Sequence, residues 1–510
     1  MKRFVISIIG LVMFCSSATA QLTDKQQIAK LNSVFEHIRD NYVDDVSLAP
    51  LVERAIIASL KELDPHSKYL TKEEMESAKS HLRGVYAGIG INYLIHNETV
   101  VVRRVLENSP AMVAGIELND RITAINNKSI IGLPTDSISA LLKGDVGSKV
   151  AMKVERRGYC QPIDVECKRR IINTNVISAA FRIGDVGYIS IDSFSRRTAG
   201  EFYAAYLSLG DTKSIVIDLR DNSGGLISAA IDLTSLFLNK GDIIVSTEGR
   251  EESNTYSKRR DTKPIDIPLV VLINENSASA SEIFAGAIQD HDRGIIVGHT
   301  SFGKGLVQRI YNLKDGSGIY LTIAHYKTPS GRIIQRPYAM GKGEEYIADS
   351  LRFTHPDSIS YQDRPIYKTL KLGRDVYGGG GITPDKYIDI SKHKLSRSVI
   401  EAINNRANEH ALIDYIDSVS LESIAQLYPT MEAFNTEYNL DSKLLDKFFM
   451  HAQLSSNALT EVDIEYIRTL LMSGIAGQLY GMNAYYYIYV SRFDPMARRA
   501  IMVATDEIVR

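Results

Sequence analysis

Residues 268–290 read PLVVLINENSASASEIFAGAIQD. Leu269 to Ile273 is an unbroken apolar, β-branched run, the composition of a strand buried on both faces. Ile283 to Ile288 has helical character, and every residue from Ser277 to Ser281 is small. The stretch therefore predicts a buried strand that turns sharply into a helix. A serine at such a turn has its hydroxyl beside the unpaired amides of the helix start, which favour developing negative charge. Nucleophile elbows use the same logic, although G-x-S-x-G is absent. The residues also have a plainer use: Ser279 and Glu282 have capping-box spacing, so the serine can serve as a helix cap. Spacing alone leaves Ser277, Ser279 and Ser281 all open as the reactive hydroxyl.

Outward from this turn, VGYISI (186–191), SIVIDLR (214–220) and GIIVG (294–298) are further β-branched apolar runs. Helical patterns lie between them: TAGEFYAAYLSL (198–209), LISAAIDLTSLFL (226–238) and SEIFAGAIQD (281–290). Alternation of this kind argues for an α/β architecture built of βαβ units. The turn DNSGG (221–225) precedes one of the helices, and Gly224 and Gly225 would expose amides as an oxyanion hole requires. Two glycines at a tight turn also have the simpler meaning of positive φ. The phosphate-binding G-x-x-x-x-G-K-[ST] pattern is absent.

A serine nucleophile needs a base. His291 and His299 are near in sequence, but no carboxylate is recognisable as an orienter for either. Lysine is the other option, provided burial keeps it neutral. Lys304 sits between Gly303 and Gly305 in TSFGKGLVQ (300–308), where backbone can approach closely. In an extended segment Lys304 and Gln308 share a face, so the amide is placed to hold the amine. A plain surface lysine is the alternative reading.

The whole chain has 510 residues, 44% hydrophobic and 24% charged, the composition of folded rather than disordered protein. Its net charge of −2 offers no electrostatic case for nucleic acid or an anionic membrane. Three cysteines cannot form a disulfide scaffold, and their spacing matches no zinc motif. Cys160 and Cys167 fall in one predicted hairpin, and spacing does not decide whether they pair. Residues 1–20, MKRFVISIIGLVMFCSSATA, have the basic start, apolar run and small-residue end of a signal peptide cleaved after Ala20. The expected division is then a helical region over 21–82, a small strand-rich module over 83–170, an α/β core over 171–394 and a helical region over 395–510.

Six segments, in this order, closely resemble the carboxy-terminal processing (tail-specific) serine peptidases: LDPHSKYL (63–70), DLRDNSGGL (218–226), NSASASEIFAGAIQD (276–290), TSFGKGLVQ (300–308), YKTPSGRIIQ (326–335) and GITPD (381–385). The resemblance implies an α/β (multidomain α+β) fold, an α/β peptidase core with an inserted PDZ module between helical ends. It implies a Ser-Lys pair, with Ser279 as nucleophile, Lys304 as general base and Gln308 as its orienter. Amides of Gly224, Gly225 and Ala280 would hold the oxyanion. It implies that 83–170 is the PDZ module, with Gly88, Ile89, Gly90 and Ile91 as the carboxylate-binding loop. Leu141 and Leu142 are candidates to line the side-chain pocket, with ordinary core packing as the alternative for both. A protein of this family uses no metal or organic cofactor and takes protein substrates with exposed apolar C-termini. An adaptor or regulatory protein and a second copy of the chain are further candidate partners, and the periplasm is the expected compartment. The rival reading is a catalytically silent PDZ-containing binding or scaffold protein on the same fold.

Overall fold

The computed structural model describes residues 22–348 and 364–509. The predicted signal segment lies outside the described residues. Among those described, no helix is long and apolar enough to cross a membrane.

The fold is mixed α/β, as expected. A six-stranded sheet runs in the order Ile177–Ile183, Val186–Ile191, Ser214–Asp218, Leu269–Ile273, Ile295–Gly298 and Lys386–Tyr387. The first pair is antiparallel and the rest are parallel. Every residue of Ser214–Asp218 and of Leu269–Ile273 is buried, because both faces of the sheet are covered. On one face Ile215, Ile217, Val271 and Ile273 meet the crossover helices through Phe202, Leu233 and Phe284. On the other, Val216, Val270 and Leu272 meet Met496, Ala497, Ala500 and Val503 of the last helix, Pro495–Val509. The end of the C-terminal helical region is thus a layer of the α/β core. Asp494 pins it there: Oδ1 accepts from the Met496 and Ala497 amides, and both carboxylate oxygens accept from Arg220 at the end of strand Ser214–Asp218.

A second, antiparallel sheet was not distinguished in the sequence. It contains Lys68–Leu70, Gly318–Lys327, Ile243–Gly249 and Ser253–Ser257 in that order, with Leu306–Asn312 also paired to Gly318–Lys327. Its first strand comes from the N-terminal region 21–82, whose sequence pattern is mainly helical.

The strand-rich module is a third sheet, Ile91–His96, Thr99–Val105, Arg121–Ile125, Lys149–Glu155 and Ile163–Lys168, closed by helix Thr135–Leu142 over a core including Val100, Ile122, Ile138 and Val150. The chain enters and leaves it as one antiparallel ribbon, Val85–Gly88 against Arg170–Asn173. Cys160 is exposed and Cys167 buried, and both are free thiols. Helices from Arg397–Asn404 onward form a separate core around Leu412, Phe434, Phe448, Ile467 and Ile475.

Candidate active site

Strand Leu269–Ile273 reverses into helix Ala280–Asp290, all of whose residues are buried. Ser279 stands immediately before the helix at φ 55° and ψ −109°. Such a conformation costs a non-glycine residue about 1–3 kcal/mol and persists only where the surroundings dictate it. The neighbouring serines supply part of that constraint. The Ser277 hydroxyl donates to the Leu219 carbonyl at 2.7 Å, and the Ser281 hydroxyl to the Asn222 carbonyl at 2.9 Å. Both are fully buried and committed to stapling this turn to the turn over 219–222. Ser279 is the partly exposed member of the three.

Glu282, completely buried, joins the serine to the lysine loop. Its Oε2 accepts from the Ser279 amide at 2.8 Å and from the Lys304 amide at 2.9 Å. Its Oε1 accepts from Ser301 Oγ at 2.6 Å and from the Gly303 amide at 2.7 Å. Burial pushes this carboxyl up, and the four donors pull against it. The Tyr326 hydroxyl adds a second bridge, 2.7 Å from the Lys304 carbonyl and 3.2 Å from the Ser279 carbonyl. Capping-box spacing pointed to Glu282 as a helix-cap partner; its hold on Lys304 depends on a segment distant in sequence.

Lys304 Nζ donates to Gln308 Oε1 at 2.9 Å. Gln308 is locked in turn, because its Nε2 donates to the His66 carbonyl at 2.6 Å, which leaves Oε1 facing the lysine. Asp64 fixes that carbonyl, with Oδ1 accepting from the His66 and Ser67 amides. Burial, and next the charge of Lys68, hold the Lys304 ammonium below its ordinary pKa, against Glu282 and Asp64. The His66 imidazole, pressed between Phe302 and Tyr346, is pushed down to about 4 by burial and by Lys304. Among the described residues no hydrogen bond joins Nζ to Ser279 Oγ; the two residues are held side by side through their backbones.

The glycine turn lies against the serine. A Cβ on Gly224 (φ 98°) would stand 2.6 Å from the Ala278 carbonyl oxygen and 2.9 Å from Ser279 Cβ. The Gly224 amide is already used, donating to Asn222 Oδ1 at 2.9 Å. Among the described residues the Gly225 and Ala280 amides have no partner. Of the three amides expected at an oxyanion hole, two are therefore free. The histidines are occupied elsewhere: His291 Nε2 lies 2.7 Å from the Ile243 carbonyl, and His299 bridges Glu275 at 3.2 Å and the Ile388 carbonyl at 3.0 Å.

Residues 185–340 match the model of peptidase family S41, and residues 101–156 that of the PDZ domain. A carboxy-terminal-processing protease of Bartonella bacilliformis is 37% identical over 321 residues, which are 61% of this chain and 73% of that protein. The chain belongs to the carboxy-terminal-processing proteases of peptidase family S41. It is a serine protease carrying a PDZ domain. A probable CtpA-like serine protease of Staphylococcus epidermidis is 30% identical over 88% of this chain and 89% of its own length. A solved photosystem II D1 C-terminal processing protease aligns over 72% of this chain and 94% of its own, at 24% identity and a TM-score of 0.35.

In this protease the expected PDZ residues lie on the entry segment and on helix Thr135–Leu142. Gly88 ends the entry strand, and Ile89 and Gly90 lead into strand Ile91–His96. The Ile89 and Gly90 carbonyls accept from the Ala111 and Leu106 amides, while their own amides have no partner among the described residues. Ile89, Ile91 and Leu142 are buried in the core of the module, and Leu141 packs at its edge. Core packing is therefore the role the structure displays for Leu142.

Proposed function

We propose that this protease is exported and cleaves peptide bonds through a Ser279–Lys304 acyl-enzyme mechanism, with its PDZ module capturing substrate C-termini. The observation that carries the reading is the lysine amine, half-buried and bonded to Gln308, in a loop tied to the Ser279 amide through one oxygen of Glu282. Neutral Lys304 takes the Ser279 proton as Oγ attacks the carbonyl. The Gly225 and Ala280 amides then receive the oxyanion. The lysine returns its proton to the leaving amine, and water hydrolyses the acyl-enzyme. Catalytic hydrogen bonds are commonly looser before substrate binds, which accommodates the resting Lys304–Gln308 arrangement.

A cavity of about 530 Å³ has an apolar side formed by Ile227, Ile231, Val307 and Leu321 and a charged side formed by Arg250, Glu251, Glu252 and Arg309, so it offers both kinds of contact to a peptide. Ile227 is two residues beyond Gly225 and Val307 one residue before Gln308, which relates the cavity to the proposed site along the chain. The carboxylate of a captured C-terminus would be received by the free amides of Ile89 and Gly90. The chain organisation adopted in this reading is the signal segment 1–20 followed by regions 21–82, 83–170, 171–394 and 395–510.

A fluorophosphonate probe tests the assignment. It should label the wild type at Ser279 and leave Ser279→Ala unlabelled, while Lys304→Ala should lose digestion of a protein with an apolar C-terminus yet stay folded. Labelling retained in Ser279→Ala would overturn it. A wild type that binds such C-termini but neither labels nor digests would establish the silent binding protein instead.

A further inference from the structure

A cluster of three histidines and one aspartate lies where the PDZ module meets the C-terminal helices. His96, at the end of strand Ile91–His96, has a side chain only 3% exposed. Its Nδ1 lies 2.7 Å from Nδ1 of His410, and its Nε2 lies 2.8 Å from Oδ1 of Asp414, both on helix Ala407–Ser418. His451, on helix Ser442–Ala452, closes the group with Nε2 2.6 Å from Asp414 Oδ2. Beside it Leu94 and Val101 of the PDZ sheet are buried against Ile413.

We propose that this cluster is a pH-released latch, holding the PDZ module against the C-terminal helices at neutral pH and letting go on mild acidification. The argument is a proton count. Two ring nitrogens 2.7 Å apart hold one hydrogen between them. At most one of His96 and His410 can carry a second ring proton while that contact lasts. Both cannot, since two N–H groups would then face each other. Docking therefore excludes one proton that the separated histidines both accept near their ordinary pKa of about 6.5. His410 is accordingly held low, by burial first and then by His96 and His451. Burial works to raise the Asp414 carboxyl, but hydrogen bonds from His451 and His96 prevail and keep it low, hence ionised.

The other groups facing the cluster are one amide and several arginines and carboxylates. Asn97 Nδ2 lies 3.2 Å from His96 Nε2. Arg121 pairs with Asp417 across the same interface, and Arg157 donates to the Ile416 and Val419 carbonyls. Arg406, which opposes protonation of His410, lies 3.9 Å from Glu409, which in turn faces Arg103 of the module. Docking is thus full above about pH 6.5 and weakens as the pH falls below it, and excluding one proton lowers the docking constant by up to about tenfold between pH 7.5 and 5.5.

Hydroxyl-radical labelling of the full-length protein tests this, because the yield at a side chain buried in the interface follows the undocked population. Labelling of Leu94, Val101 and Ile413, relative to core Phe284, should rise several-fold, towards tenfold, from pH 7.5 to 5.5. In His410→Asn, which keeps a polar partner without the titration, it should stay flat. His96→Asn gives a second arm on the other side of the contact, and low labelling of Phe284 verifies that either variant is folded. A wild-type change below twofold, or an equal rise in the folded variants, would overturn the latch. Neither readout depends on catalysis, so failure here leaves the Ser279–Lys304 reading untouched.

Discussion

Replacing Gln308 by glutamate is the sharpest probe of the proposed lysine base. The side chain keeps its shape, but the atom 2.9 Å from Lys304 Nζ becomes part of a carboxylate. At an effective dielectric constant of about 20, a unit charge about 4 Å away stabilises the ammonium by roughly 4 kcal/mol, or about three pH units. Burying the new carboxylate offsets part of this, as does losing the donor to the His66 carbonyl. A net rise of about one to two units in the lysine pKa is the expected result. A lysine that must be neutral to act then works only at higher pH, so the acid limb of kcat/KM moves upward by that amount. The rate at pH 7 falls about 10–100-fold. Gln308→Ala separates charge from positioning: it removes the hydrogen bond that orients the neutral amine, about 0.5–1.5 kcal/mol, and should cost up to about tenfold with little movement of the limb. The assay is kcat/KM for a fluorogenic peptide between pH 5 and 10. An acid limb in Gln308→Glu coincident with wild type would refute a neutral Lys304 at this position.

Ser279→Gly should abolish peptidase activity yet raise the thermal midpoint, because glycine adopts φ 55° without the strain a side chain carries there; a lower midpoint by calorimetry would show that the turn is not strained. Gly224→Ala should lose activity and stability together, by about 2 kcal/mol or more, since the added methyl meets the Ala278 carbonyl at 2.6 Å in a backbone of φ 98°; near-wild-type activity and denaturant midpoint would contradict the close approach. His66→Phe keeps the aromatic contacts and the main-chain carbonyl while removing a buried nitrogen without a partner among the described residues. The imidazole is held down to about 4, so its contribution is present above about pH 6.5 and lost as the pH falls towards 4. Wild type should therefore lose more thermal stability than His66→Phe across that interval, and equal losses would exclude the effect.

Local pattern carried much of this molecule. The run Leu269–Ile273 followed by small residues specifies a strand-to-helix turn without reference to anything else, because β-branched apolar residues and a helix start are properties of contiguous chain. Lys304 and Gln308 do meet, but Lys304 lies ahead of strand Leu306–Asn312, whose register shifts between Val307 and Gln308, so simple alternation is not what joins them. Packing alone settled the rest. That Ser277 and Ser281 are spent on the Leu219 and Asn222 carbonyls while Ser279 is not follows from the neighbouring turn. That Gly224 has its amide committed follows from the rotamer of Asn222. The helical pattern over 495–509 shows an apolar stripe but not that it faces Val270 and Leu272, nor does any periodicity place Lys68–Leu70 in a sheet with Gly318–Lys327. Periodicity says which face of an element avoids water, whereas its partner is chosen by shape and hydrogen-bond complementarity between segments hundreds of residues apart. The contact between His96 and His410 belongs to that second kind of information.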